Sequence, residues 1–346
     1  MDRLRVGLLG CGRIARVFHL PILAGLPGVK LAAVADPDPA ARARAGAGAP
    51  GAVVVADWRE VVADPRVDAI VVCLPSGMHA EAAGAAFAAG HAVYLEKPIA
   101  TDLEDGRAIL RAWRSSGAVG MAGFDQRFEP AIRALRNAAR AGTAGPVTGL
   151  RLAMGSGRRD APAWKRSRAT GGGVLLDLGS HLVDLARFVL AEEVRTVAAV
   201  TASALTEDDT AAIALTMESG RLAQAWVTLA GITESRVEVV GQAGMLVADR
   251  YAGTVELLPL EPAWSRPARA RRGLARLGRE ARALLEVAQP LDLGVTYRGA
   301  LAAFVEAARA RRSSPPDLAD GFRSLAVVLA AEESARTGRA ATPAAP

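Results

Sequence analysis

Cysteine, lysine, histidine and aromatic residues are all scarce in this 346-residue chain, and each scarcity narrows the possible functions. Cys11 and Cys73 are the only cysteines, too few for a disulfide framework or a cysteine-built metal site, so a reducing cytoplasm is the expected compartment. The four histidines, His19, His79, His91 and His181, are scattered, and no two stand at metal-ligand spacing, so no metal is expected. Aromatic residues make up only 4% and do not interleave with the arginines clustered between residues 263 and 288, which argues against a surface for single-stranded nucleic acid. No apolar run reaches the roughly 18 residues needed to span a bilayer, so no membrane partner is expected. At the N-terminus Arg13 cuts off the first apolar run, and no small-residue cleavage site follows, which argues against a signal peptide.

Hydrophobic residues at 51% and charged residues at 23% describe a globular protein, and the length suits two ordinary domains. The net charge of +6 raises the question of nucleic acid, but no motif that reads bases accompanies it. Only Lys30, Lys97 and Lys165 among the 42 basic residues are lysines. Such a bias reflects coding composition and makes each lysine informative, because a lysine kept where arginine is the default marks a site that needs a compact, titratable ammonium.

The first 120 residues alternate short apolar runs with alanine-rich amphipathic stretches, the βαβ rhythm of a parallel sheet. Strands are expected over Arg5–Leu9, Leu31–Ala35, Ala69–Leu74, Ala92–Leu95 and Val119–Ala122, with helices over Ile14–Leu23, Ala80–Ala89 and Leu103–Arg114. From about Val147 the pattern changes. The runs Val194–Ala202, Ala211–Met217, Leu222–Leu229, Arg236–Val240 and Met245–Ala248 follow one another without a helix, which predicts an antiparallel sheet. Two helical stretches, Thr296–Arg311 and Leu318–Arg336, close the chain. The expected fold is therefore α/β: a dinucleotide-binding domain over residues 1–122, and a substrate-binding and oligomerisation domain over 123–346. The last helix is expected to be able to pack back on the first domain. Between residues 263 and 288, seven arginines stand against Glu280 and Glu286, with leucines at helical spacing, which predicts an amphipathic helix with a basic face.

The first apolar run leads into Gly10-Cys11-Gly12-Arg13-Ile14-Ala15, a G-x-G-x-x-A sequence between a strand and a helix. Gly10 permits the tight turn, Gly12 lets backbone N–H groups approach a pyrophosphate, and Ala15 allows close helix–strand packing. Asp36 ends the second strand 24 residues after Gly12, where a carboxylate accepts hydrogen bonds from a ribose diol. Its charge opposes a 2′-phosphate and favours NAD, with NADP left open because Arg42 and Arg44 lie nearby.

Three further segments complete a pattern: Val71-Val72-Cys73-Leu74-Pro75-Ser76-Gly77-Met78-His79, Glu96-Lys97-Pro98, and Gly171-Gly172-Gly173 running to Asp177-Leu178-Gly179-Ser180-His181. With the glycine loop, they make the chain resemble the Gfo/Idh/MocA oxidoreductases over nearly its whole length. The resemblance implies a Rossmann domain followed by an α/β domain on a large, mostly antiparallel sheet. The open face of that sheet often packs against another subunit, so a homo-dimer or homo-tetramer is expected. It also assigns the catalytic roles to Lys97, Asp177 and His181. Gly10, Gly12, Arg13, Ile14, Asp36, Leu74, Pro75, His79, Glu96 and Lys97 are the expected cofactor contacts. Arg127, Trp164 and Asp184 join Lys97, Asp177 and His181 around the substrate, with Lys165 beside Trp164 near the pocket mouth. Many members carry asparagine where this chain has Asp125.

These residues make chemical sense on their own. Lys97 follows an apolar strand at the carboxyl edge of a parallel sheet, where such sheets bind ligands. Asp177 and His181 stand four apart in a stretch that reads as helix, so they share a face. A histidine titrates near neutrality and can take an alcohol proton as a hydride leaves carbon. The expected activity is NAD-dependent oxidation or reduction at a secondary alcohol or ketone of a sugar, a cyclitol or a derivative. An NAD-retaining glycosidase, a nucleotide-sugar ketoreductase and a non-catalytic NAD-binding regulator remain open as alternatives.

Overall fold

The computed structural model describes residues 3–157, 167–168, 171–260, 265–266, 270, 273–274 and 294–346. Six strands, β1 (Leu4–Leu9), β2 (Val29–Ala35), β3 (Val53–Val55), β4 (Ala69–Val72), β5 (Ala92–Leu95) and β6 (Gly120–Ala122), form the first sheet. Their order is β3-β2-β1-β4-β5-β6 and every pair is parallel. The order reverses between β1 and β4, so a crevice opens there beyond the carboxyl ends of the strands.

Alternation along each strand feeds two cores. Val6, Leu8, Val71 and Tyr94 face one core, which also holds α1 (Leu20–Gly25), α2 (Pro39–Gly48) and α8 (Val295–Ala310). Leu9, Ile70, Val72, Val93 and Leu95 face the other, with α3 (Trp58–Val62), α4 (His79–Ala88), α5 (Leu103–Ser116) and α9 (Leu318–Thr337). The five expected strands are present within two residues at each end. The short β3 is an addition, its three residues giving periodicity nothing to work on.

The first helix departs from the expected continuous α-helix over Ile14–Leu23. Ala15–His19 form a π-helical turn that passes into α1. Pro21 lacks the N–H that an α-helix would direct to the carbonyl of Val17, and a widened turn accommodates that loss. A second π-helical turn, Leu175–Gly179, leads into α7 (Ser180–Leu190).

The second sheet has seven strands: β7 (Val147–Gly155), β8 (Val194–Ala202), β9 (Thr210–Met217), β10 (Leu222–Thr228), β11 (Glu234–Gly241), β12 (Gly244–Asp249) and β13 (Thr254–Pro259). They run in the order β13-β12-β11-β7-β10-β9-β8. All neighbours are antiparallel except β7 and β10. Helix α6 (Pro130–Arg140), α7 and α9 cover its inner face.

The two C-terminal helices return to the first sheet. Phe304 of α8 sets its ring edge-on to Tyr94 of β5 at 5.7 Å. Phe322 of α9 packs on α5 so closely that a Cβ at Gly106 would lie 3.0 Å from it. At its other end, α9 reaches the second sheet, where Ser334 Oγ accepts a hydrogen bond from the Ala199 N–H at 3.0 Å. A boundary at Gly123 therefore separates the sheets but not the cores: α8 and α9 complete the N-terminal domain from the far end of the chain.

Candidate active site

The crevice is built from the loops that leave β1, β2, β4, β5 and β6. After β1, Gly10 adopts φ +88°, and a Cβ there would stand 2.6 Å from the Cys73 carbonyl oxygen, so only glycine fits. Gly12 is a different case. Its φ is not positive, and a Cβ would meet no protein atom within 4 Å, so nothing within the described chain requires glycine there. The space in front of it suits a ligand that approaches the backbone. The Arg16 N–H donates to the Gly12 carbonyl at 2.9 Å, so the helix begins at the loop, with Arg13 exposed and Ile14 half-buried.

Asp36, at the end of β2, accepts from the Cys11 N–H at 2.7 Å through Oδ2 and from the Asp38 N–H at 2.9 Å through Oδ1. Its carboxylate thus stands against the glycine loop, where a ribose would lie. Arg42, which might have offset that charge, is drawn to the backbone instead, donating to the carbonyls of Asp36 and Pro37 at 2.8 and 2.9 Å. The open space at Gly12, the helix start and the carboxylate of Asp36 together fit NAD. Burial, then Asp36, pushes the Cys11 thiol up to about 11, so it is no nucleophile at neutral pH.

At the end of β5, Glu96 and Lys97 turn to different partners. Glu96 is buried and places Oε1 2.6 Å from His19 Nε2, on the π-helical turn after the glycine loop. Burial pushes the Glu96 carboxyl up, but the hydrogen bond and charge of His19, with Lys97, outweigh it and leave it below the ordinary range. Lys97 Nζ crosses to the other domain, donating to the Asp177 carbonyl at 2.8 Å and to Asp177 Oδ1 at 3.1 Å. Gly171 and Gly173, both at φ +93°, shape the turn that brings Asp177 there. That turn is anchored by the Val174 N–H, which donates to the Asp208 carbonyl at 2.8 Å.

His181, one turn further on, is buried beside Asp125, with Nδ1 3.9 Å from Oδ1. Phe124 meets its ring edge-on at 6.5 Å. Asp125 was notable in the sequence only as a departure from asparagine, and the structure makes it a neighbour of His181. Thr296 and Tyr297 at the start of α8 also approach this region, Tyr297 stacking on Phe18 at 4.3 Å. Sequence reasoning missed His19, Thr296 and Tyr297. Their partners lie far along the chain, Glu96 77 positions from His19 and Asp125 171 from Thr296, with Tyr297 reaching back to Phe18, beyond any local pattern.

The other expected site residues fall as follows. Leu74 is buried and Pro75 exposed at the end of the β4 loop. His79 is buried between two carbonyls, with Nε2 2.9 Å from Leu74 O and Nδ1 3.1 Å from Pro98 O, so it ties the β4 loop to the Lys97 turn from inside. Burial holds its imidazole below the ordinary range, against the pull of the Leu74 carbonyl and Glu96.

Arg127 and Asp184, expected around the substrate, bond each other. Arg127 Nη2 and Nε bond Asp184 Oδ1 and Oδ2 at 2.6 and 2.8 Å, and Nη1 bonds Asp320 Oδ2 at 3.0 Å. Both Arg127 and Asp184 are buried, and their polar atoms hold α7 against α9. Arg127, Arg133, Arg136 and Arg187 line a cavity of about 600 Å³ that includes none of Lys97, Asp177 and His181. Trp164 and Lys165 lie outside the described residues, as does most of the arginine-rich stretch 263–288. Among the described residues no helix is long and apolar enough to cross a membrane.

The family is identified by comparison with known proteins. Residues 4–124 match the family described as "Oxidoreductase family, NAD-binding Rossmann fold", and residues 132–247 match "GFO/IDH/MocA C-terminal domain". The chain belongs to the Gfo/Idh/MocA oxidoreductases. It is 30% identical over 351 residues to 1,5-anhydro-D-fructose reductase of Ensifer adhaerens, covering 97% of this chain and 98% of that one. It is 29% identical over 264 residues to myo-inositol 2-dehydrogenase of Thermotoga maritima, covering 74% of this chain and 78% of the relative. Among solved structures, GenD2 from gentamicin A biosynthesis in complex with NAD superposes with a TM-score of 0.83 at 27% identity, covering 100% of this chain and 97% of that one. The protein is thus an NAD-binding oxidoreductase of this family.

Proposed function

We propose that the protein transfers a hydride between NAD and a secondary alcohol or ketone of a sugar, cyclitol or related polyol, using Lys97, Asp177 and His181. The observation that carries this reading is the bond from Lys97 Nζ to Asp177 Oδ1 across the two domains, with His181 one turn beyond. That bond joins an ammonium to a carboxylate at the carboxyl edge of the NAD-binding sheet, and the imidazole of His181 four residues further along supports reading the three as one set.

NAD, when bound, supplies the hydride acceptor at its nicotinamide ring. The chain's own groups manage the proton and the charge on oxygen. His181 takes the hydroxyl proton during oxidation and returns it during reduction. Lys97 donates to the reacting oxygen and stabilises the negative charge that grows there, a role in which one positioned donor is worth about two to three powers of ten. Asp177 holds Lys97 in place in the absence of substrate and offers its carboxylate to a neighbouring hydroxyl. Gly12 and the start of the first helix receive the pyrophosphate, and Asp36 receives the ribose diol.

The second sheet also supports a homo-oligomer. Val200, Leu222 and Trp226 stand on its outer face, 65%, 63% and 48% exposed, among the small side chains of Ala198, Ala212 and Ala214. Large apolar side chains left exposed on one sheet face, here on either side of Gln224, support an interface with a second copy. Light scattering of the wild type and Trp226→Glu tests it: a smaller particle for the variant supports this interface, and identical particles refute it.

The reaction is tested by following reduced-nicotinamide absorbance with NAD or NADP and a panel of cyclitols, aldoses, sugar acids and glycosides. Turnover on a polyol that falls about 100-fold or more in Lys97→Ala supports the assignment. Wild-type turnover in that variant removes Lys97 from the chemistry, and NAD binding without turnover on any panel member removes the polyol reading.

A further inference from the structure

Asp125 is a buried carboxylate placed at the second ring nitrogen of the proposed proton acceptor. It lies in the turn Asp125–Phe128 that follows β6, 2% exposed, with Oδ1 3.9 Å from His181 Nδ1. Its other oxygen accepts from Thr296 Oγ1 at 2.6 Å, and Thr296 is fully buried at the start of α8. The carboxylate is therefore held from behind while its free edge faces the imidazole. Phe124, the preceding residue, sets its ring edge-on to that imidazole, so one turn supplies both the packing and the charge. Lys97 and Asp177 bond each other, and Asp125 is a separate acid beside His181.

The charged and titratable groups around it come from several elements. Arg250, beyond β12, and Lys97 oppose its charge, and Glu96 adds to it. Glu129 bonds Arg250 at 3.3 Å, and Tyr297 lies within reach of the field of Asp125. Burial pushes the Asp125 carboxyl above the ordinary range, against Arg250 and the Thr296 hydrogen bond.

We propose that Asp125 is a positioning residue for His181, keeping the proton of the neutral imidazole on Nδ1 so that Nε2 is the nitrogen that meets the substrate hydroxyl. The proposal rests on the reading of His181 as proton acceptor. In oxidation the alcohol O–H bond breaks and an Nε2–H bond forms; Asp125 takes no proton and stabilises the imidazolium by its charge. In hydrolase triads a carboxylate hydrogen-bonded behind the imidazole fixes its tautomer and orientation; at 3.9 Å Asp125 acts on His181 through its charge rather than through a hydrogen bond.

Asp125→Asn tests this in the full-length protein, since the amide oxygen still accepts from Thr296 while the charge is lost. With only four histidines in the chain, the His181 ring signals can be assigned in NMR spectra by comparison with His181→Gln. Without any substrate, the titration midpoint of His181 is expected to fall by about one pH unit in Asp125→Asn. In turnover with NAD and the best polyol of the panel, kcat for oxidation is expected to fall about 10- to 100-fold, with KM for NAD unchanged. Thr296→Val is the control: it removes the hydroxyl but leaves the charge, so the His181 midpoint should stay near the wild-type value. An unmoved midpoint in Asp125→Asn overturns the proposal, as does a Thr296→Val that reproduces its rate loss and its shift. A moved midpoint with wild-type kcat refutes the catalytic half alone. Full activity in His181→Gln refutes the proton-acceptor reading and this proposal with it.

Discussion

Arg127 and Asp184 face each other as a two-point pair, Nη2 to Oδ1 at 2.6 Å and Nε to Oδ2 at 2.8 Å, with both side chains inside the protein. Arg187 enters the same network, its Nη2 3.2 Å from Asp320 Oδ1 and its Nε 2.6 Å from Glu193 Oε2. The Arg127 guanidinium also lies over the Phe188 ring at 5.2 Å. A group so enclosed by carboxylates has little left to offer a sugar hydroxyl.

Removing one member of this pair leaves a buried charge without its best partner. Arg127→Met should cost about 3–5 kcal/mol in denaturant unfolding. The folded fraction should keep its KM for substrate within about threefold. A tenfold rise in KM at wild-type stability is the opposite outcome, and it would return Arg127 to the substrate. The double variant Arg127→Met/Asp184→Leu should recover part of the lost stability, because the orphaned carboxylate is then gone as well.

The two glycines of the nucleotide loop separate the demands of the fold from those of the ligand. Gly10→Ala sets a methyl group 2.6 Å from the Cys73 carbonyl oxygen at a positive φ, so it should lower stability without any ligand, by about 1–3 kcal/mol. Gly12→Val adds bulk where no protein atom lies within 4 Å, so its unfolding temperature without NAD should match the wild type. Its Kd for NADH, read from protein fluorescence quenching, should rise about 10-fold or more. A Gly12→Val protein that is destabilised yet binds NADH normally would show that the glycine serves packing alone.

The features legible in the sequence are those that depend on neighbours along the chain. The run of β1 into Gly10 and Gly12, the carboxylate of Asp36 at the end of β2, and the Glu96-Lys97-Pro98 turn after β5 all follow from short-range pattern and strand-edge chemistry. What escaped depends on contacts across the fold. His19 and Glu96 are 77 residues apart, and a lone histidine in an apolar helix gives no hint of a buried carboxylate partner. Arg127 and Asp184 are named by the family resemblance alone, and their pairing across 57 positions leaves no mark in the local sequence. The two π-helical turns were hidden for another reason: periodicity assumes 3.6 residues per turn, whereas a wider turn changes which side chains share a face. Asp177 and His181 accordingly address different partners, Lys97 and Asp125.

Asp209 carries the clearest dependence of stability on pH. It is 1% exposed, and its Oδ2 accepts from the N–H groups of Leu205 and Thr206 at 2.5 and 2.7 Å, its Oδ1 from that of Ala204 at 3.1 Å. Burial pushes the carboxyl up, but these backbone donors outweigh it and leave it below the ordinary value of 3.8. A carboxyl lowered in the folded state adds stability above its unfolded pKa, and that contribution disappears as pH falls through the lower folded value. Asp209→Asn should therefore be less stable than the wild type by about 2 kcal/mol at pH 7, with the gap closing below about pH 4. The comparison isolates Asp209, because Asp125 and Asp184, which burial pushes the other way, are common to both proteins. The same loop presents the Asp208 carbonyl to the Val174 N–H at the head of the Asp177 turn, so the variant should also lose several-fold in kcat under conditions where it remains folded. Urea midpoints at pH 7, at about pH 4 and at about pH 2.5 give the first reading, and a gap that stays the same size down to the lowest pH would mean that the charge of Asp209 plays no part in holding the loop.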